Sequence, residues 1–131
     1  MKEFFDRLTD AELLARLIYG EARGEKREGM LAVGYVAMNR AKRPSWWGMN
    51  LREVILKPYQ FSCFNSNYVD RIVTPGEKTW HTCLDASMMV LDGLTHESTG
   101  GATHYHAVGV TPYWAASLTR TVQIGNHAFF K

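Results

Sequence analysis

Gly100-Gly101 divides this sequence into two hydrophobic patterns. Upstream, apolar residues recur at helical spacing; downstream they come in short β-branched or aromatic runs bounded by glycine, proline or asparagine. Strands are expected over Thr103 to Val108, Thr119 to Ile124 and Ala128 to Phe130. Helices first and a small antiparallel sheet at the C-terminus make the fold class α+β. At 131 residues, with 46% of them apolar and only 4 prolines, the chain is expected to form a single domain over residues 1–131 without staples.

The helical part carries its own punctuation. Thr9-Asp10-Ala11-Glu12 reads as a capping box, with Leu8 and Leu13 placed as a hydrophobic staple, so a helix should begin at Asp10. Its apolar face is Leu13, Leu14, Leu17 and Ile18, and Gly20 and Gly24 weaken or end it. Glu28 to Arg40 predicts a second, mostly buried helix, and Asn50 with Glu53 caps a short one to about Leu56. Tyr59 to Asp70 shows no clear period. Thr74-Pro75-Gly76-Glu77 reads as another capping box, opening a helix with Trp80, Leu84, Met88 and Leu91 on one face and Gly93 as its stop.

Charge and cysteine content exclude several classes. Fifteen Lys and Arg against 13 Asp and Glu leave a formal charge of +2, too mild for a dedicated nucleic-acid binder, although a polyanionic matrix fits. Cys63 and Cys83 allow at most one disulfide and are expected as buried thiols. No stretch approaches a membrane span, and the first residues lack the apolar run of a signal peptide. The expectation is a monomer without membrane insertion, made in the cytoplasm or cut from a longer exported protein.

One carboxylate stands out. Asp10, Glu12, Glu53 and Glu77 suit first helical turns, while Glu3, Asp6, Glu25, Glu28, Asp85 and Asp92 read as solvated. Glu21 lies on the apolar face of the first helix, in register with Leu14 and Leu17. Burial and the negative end of a helix both favour a protonated carboxyl, which suits a general acid. An ion pair with Arg16, Arg23 or Arg40 is the commoner outcome on spacing alone.

The segment Leu14-Ala-Arg-Leu-Ile-Tyr-Gly-Glu21-Ala-Arg-Gly-Glu25 is followed by Gly29-Met-Leu-Ala-Val-Gly-Tyr-Val-Ala-Met-Asn39-Arg40. Then come Gln60-Phe61-Ser62, Val90-Leu91-Asp92-Gly93, Gly101-Ala102-Thr103-His104-Tyr105-His106-Ala107, Pro112-Tyr113-Trp114-Ala115 and Ile124-Gly125-Asn126-His127-Ala128-Phe129. In this order the segments resemble the SleB-type, or spore-cortex-lytic, cell wall hydrolases across residues 13–130. The resemblance implies a compact lysozyme-like or lytic transglycosylase-like domain. Such a domain cuts the peptidoglycan strand between N-acetylmuramic acid and N-acetylglucosamine without a cofactor, and its catalytic glutamate corresponds to Glu21. It also implies that Gln60, Ser62, Tyr105 and His106 surround the cleft. Family members often carry a signal peptide and a wall-binding domain. Neither is evident here, which gives the expectation of a phage-type endolysin acting once the membrane is permeabilised.

Competing readings use other residues. A hydrolytic muramidase wants a second carboxylate, for which Asp70 and Glu97 are the loop candidates. His104 and His106, two apart on a strand, could join His127 in the zinc site of an amidase. Trp46 and Trp47 beside Lys42, Arg43 and Arg52 could rim a sugar site, or one of the two could fill the core. A peptidoglycan-binding module without catalysis is the remaining alternative.

Overall fold

The computed structural model describes residues 2–65 and 67–131. A short helix α1 (Lys2–Asp6) leads into α2 (Asp10–Ala22), α3 (Arg27–Lys42), α4 (Leu51–Leu56), α5 (Asp70–Val73) and α6 (Glu77–Asp92). Three strands follow, β1 (His104–Ala107), β2 (Arg120–Ile124) and β3 (His127–Phe130). The change of pattern at Gly100-Gly101 is the boundary between helices and sheet.

Helix α2 starts where its capping box puts it. The Glu12 N–H donates to the Thr9 hydroxyl (3.1 Å), and the Thr9 N–H donates back to the Glu12 carboxylate (3.0 Å). Leu13, Leu14, Leu17 and Ile18 are fully buried, and α2 packs against α3, α4, α5 and α6 as the central rod. Each such side chain contributes roughly 1.5–3 kcal/mol. Gly20 does not end the helix. A Cβ there would overlap the Cys63 side chain, so the missing side chain lets the segment after α4 lie against the last turn of α2.

Helix α3 is buried on two sides. Met30, Val33 and Ala37 join the helical core, while Ala32 and Val36 meet Ala102 and Phe129 under the sheet. That accounts for its weak amphipathic pattern. The second expected capping box is not formed. The Thr74 N–H donates to Asp70 O and closes α5 instead, and Gly76 takes the N-cap of α6 without a side-chain bond. Gly93 stops α6 in the left-handed conformation (φ 66°), as its position predicts.

The sheet order is β1-β3-β2, antiparallel throughout. Gly125 (φ 57°) and Asn126 form the tight turn between β2 and β3. The register pairs His104 with Phe130 and Ala107 with His127. His104 and His106 therefore share one face with Phe130, whereas His127 shares the other with Tyr105 and Phe129. The proposed zinc triad is corrected by this register, since His127 points away from the other two. Among the described residues no three His, Cys, Asp or Glu are grouped to hold a metal. Cys63 and Cys83 are both free and buried, and burial pushes the Cys83 thiol up to about 11.

Candidate active site

Six parts of the chain meet in a cleft of about 440 Å³. Glu21 enters it from the last turn of α2 and Arg40 from α3. Trp46 comes from the loop after α3, Tyr59-Gln60-Phe61 from the turn after α4. The sheet side supplies His104 and Tyr105 of β1, with Tyr113 and Trp114 from a 3-10 turn at Tyr113–Ser117. Among the described residues Glu21 is the only carboxylate in the lining.

Tyr105 fixes that carboxylate. Its O–H donates to Glu21 Oε1 at 2.6 Å, joining the sheet to the end of α2. Burial first, then the neighbouring Glu21 charge and this hydrogen bond, push the Tyr105 hydroxyl well above its usual range. The phenol therefore keeps its proton and acts as a donor. Cys63 packs on the same side, and burial together with the Glu21 charge also pushes its thiol up. The arrangement leaves Oε2 of Glu21 as the oxygen not taken by Tyr105.

Arg40 brings a guanidinium to the cleft, with its Nε donating to Thr103 O (2.7 Å) and its Cζ over the Phe61 and Trp47 rings at 5.3 and 5.4 Å from their centroids. Its Nη1 is buried without a hydrogen-bond partner among the described residues. No ion pair joins Glu21 to Arg16, Arg23 or Arg40 among the described residues. His104 sits between Trp47 and Trp114, at ring distances of 6.1 and 5.0 Å. Burial, and then the Arg40 charge, hold its pKa below the ordinary histidine value.

The other sequence candidates separate. Gln60 and Tyr105 line the cleft. Ser62 is exposed and lines a separate hollow of about 190 Å³ with Arg23 and Arg71. His106 stacks on Phe130 (5.1 Å) and lies tilted against Trp114 (5.8 Å), outside the lining. Asp70 opens α5 on the surface. Glu97 is occupied by its own loop, accepting from the Thr99 N–H (2.5 Å), the Gly101 N–H (2.7 Å) and Asn39 Nδ2 (3.5 Å). Neither acid faces Glu21 across the cleft. Of the paired tryptophans, Trp46 is on the rim, while Trp47 turns inward and donates its Nε1–H to Arg40 O (2.9 Å).

Glu25 is the acid whose expected environment is wrong. Rather than being solvated, its side chain is 9% exposed and receives the Asn126 N–H (2.9 Å) and Nδ2 (3.3 Å). His127 Nδ1 lies 2.9 Å from Glu25 Oε1 without meeting hydrogen-bond geometry. The carboxylate thus ties the end of α2 to the β2–β3 turn.

Sequence reasoning missed Arg40, Tyr59, Tyr113 and Trp114 as cleft residues. For Tyr59 a signal existed. Lys57-Pro58-Tyr59-Gln60 closes with the Gln60 N–H donating to Lys57 O (3.2 Å), and proline at the second position marks such a turn. Tyr59 then sits at φ 65°, where glycine is favoured and another residue costs roughly 1–2 kcal/mol.

Comparison with known proteins agrees with the architecture. A Cell Wall Hydrolase family model matches residues 24–130, beginning three positions after Glu21. A spore cortex-lytic enzyme of Halalkalibacterium halodurans is 35% identical over 92% of this chain, and one of Oceanobacillus iheyensis 31% over 94%. The chain spans only 34% and 42% of those two relatives. Among solved structures, the catalytic domain of the germination-specific lytic transglycosylase SleB from Bacillus anthracis superposes with a TM-score of 0.77. The sequences are 28% identical, and 93% of each chain is covered. The catalytic domain of the Bacillus cereus SleB protein gives 0.70 at 30% identity, covering 93% of this chain and 89% of that one. With most of its length matched, and its helices and small C-terminal sheet shared with these domains, the chain belongs to the cell wall hydrolase family.

Proposed function

We propose that this chain cuts the glycan strand of peptidoglycan as a lytic transglycosylase, with Glu21 serving in turn as acid and base. The observation that carries the reading is the Tyr105–Glu21 hydrogen bond in a cleft whose described lining holds no other carboxylate. The likeness to a domain described as a lytic transglycosylase supports the same reaction class.

In this scheme Glu21 gives its proton to the glycosidic oxygen as the bond from that oxygen to C1 of N-acetylmuramic acid breaks. The sugar's acetamido group stabilises the electron-poor C1. Its own 6-hydroxyl then attacks C1, and the Glu21 carboxylate takes the hydroxyl proton, so the acid is restored and no water is consumed. Intramolecular attack has the advantage of proximity, since nucleophile and electrophile share one ring. Tyr105 donates to one Glu21 oxygen throughout and orients the other. Gln60, at the cleft wall, is a candidate to bind a sugar substituent.

Glu21→Gln should abolish turbidity loss of purified walls while leaving the circular dichroism spectrum unchanged. Full activity in that variant would remove Glu21 from the mechanism. Walls left intact by the parent protein would favour a binding module. We further propose an endolysin role, in which lysis follows permeabilisation of the inner membrane. Expression in a bacterium should then be tolerated until the membrane is breached, and lysis without permeabilisation would contradict that role.

A further inference from the structure

Tyr59 occupies a turn position at which glycine is the unstrained choice. If packing of the ring compensated for that strain, the ring would be buried. Instead it is 87% exposed and lies on the rim of the Glu21 cleft. A side chain kept in a costly backbone conformation without a core to fill points to a task at the surface.

Tyr113 repeats the pattern from another part of the chain. It is 94% exposed and lines the same cleft. The next residue, Trp114, is anchored on His104, His106 and Phe130, at 5.0, 5.8 and 5.5 Å. The turn is thus held down by one aromatic ring and presents the other to solvent. Two rings with few rotatable bonds stand free beside the same carboxylate, and such rings lose little entropy on binding. Among the described residues the charged groups in the lining are Glu21 and the buried Arg40, so the described rim offers no ionic recognition. What it offers is flat apolar surface with a hydroxyl at its edge. That matches a pyranose, which has an apolar C–H face and a polar perimeter.

We infer that Tyr59 and Tyr113 are stacking platforms for the pyranose rings of the glycan, holding the strand across Glu21. This rests on the glycan-cleaving reading of the cleft.

The test uses peptide-free tetrasaccharides of alternating N-acetylglucosamine and N-acetylmuramic acid, titrated calorimetrically into the Glu21→Gln protein. Tyr59→Phe in that background should bind within about twofold of it, because the ring is retained. Tyr59→Gly, Tyr59→Ala and Tyr113→Ala should each bind about 10-fold more weakly. Tyr59→Gly should nevertheless melt above Tyr59→Ala, since glycine accepts the turn, so that affinity follows the ring and not the stability of the loop. A Tyr59→Gly protein that binds as tightly as its Glu21→Gln parent would overturn the inference. So would a Tyr59→Phe protein as weak as Tyr59→Gly, which would make the contact a hydrogen bond and not a stack. Wall lysis by the wild type, run in parallel, separates the two levels. Lysis with unchanged binding in the tyrosine variants sinks the platforms alone, whereas a wild type that neither lyses walls nor binds the tetrasaccharide sinks the glycan reading with them.

Discussion

The proton on Tyr105 decides which oxygen of Glu21 is tied to the sheet. Because burial and the adjacent carboxylate keep the phenol protonated, it remains a donor to Oε1, and in the proposed scheme the other oxygen carries the transferred proton. Tyr105→Phe keeps the packing against His127 and Phe129 but removes that donor. A hydrogen bond to a charged group contributes about 1.5–3 kcal/mol, so kcat on purified walls should fall roughly 10- to 100-fold with little change in KM. An unimpaired kcat would mean that Glu21 is oriented by something else. Gly20 and Cys63 complete this corner, since only a residue without a side chain lets Cys63 pack one position before Glu21.

At the scale of elements, the end of α2 is fastened to the sheet at two points, Glu21 to Tyr105 and Glu25 to the β2–β3 turn. Glu25→Ala leaves the Asn126 N–H and His127 without that partner and should cost about 1–3 kcal/mol in chemical denaturation. An unchanged midpoint would show that the turn holds its place unaided. What the sequence made legible was local. The Thr9 capping box, the Gly93 stop and the three strands depend on residues a few positions apart, and they form as read. The Thr74 box did not form, because the end of α5 claims Thr74 first. Glu25 looked solvated because the turn that buries it lies 101 residues away in the chain. Glu21 was visible as a polar residue on an apolar helical face, whereas Arg40 comes beside it only when α3 packs on α2, and Tyr113 and Trp114 only after the sheet folds back.

For the whole molecule, the depressed groups set the direction of the pH dependence: Glu12, held down by the Thr9 N–H and hydroxyl, and also Glu97 and His104. Burial alone would raise the Glu97 carboxyl, but hydrogen bonds from Thr99, Gly101 and Asn39 outweigh it and hold it below the ordinary range. Its stabilising contribution is complete above the unfolded value, about 4.3, and is lost as pH falls through the lower folded value. His104 is also depressed, so its contribution is complete above roughly 6.5 and is lost as pH falls from there toward its folded value. The melting temperature should therefore decline from about pH 7 downwards, with a further decline below about pH 4.5 that Glu97→Gln diminishes. A level profile over this range would contradict these assignments. The chemistry itself is tested most directly by mass spectrometry of the sugars released from purified peptidoglycan. A single carboxylate working through the 6-hydroxyl predicts 1,6-anhydro-N-acetylmuramic acid ends, one water lighter than hydrolytic products and resistant to borohydride. Reducible N-acetylmuramic acid ends as the main product would contradict it.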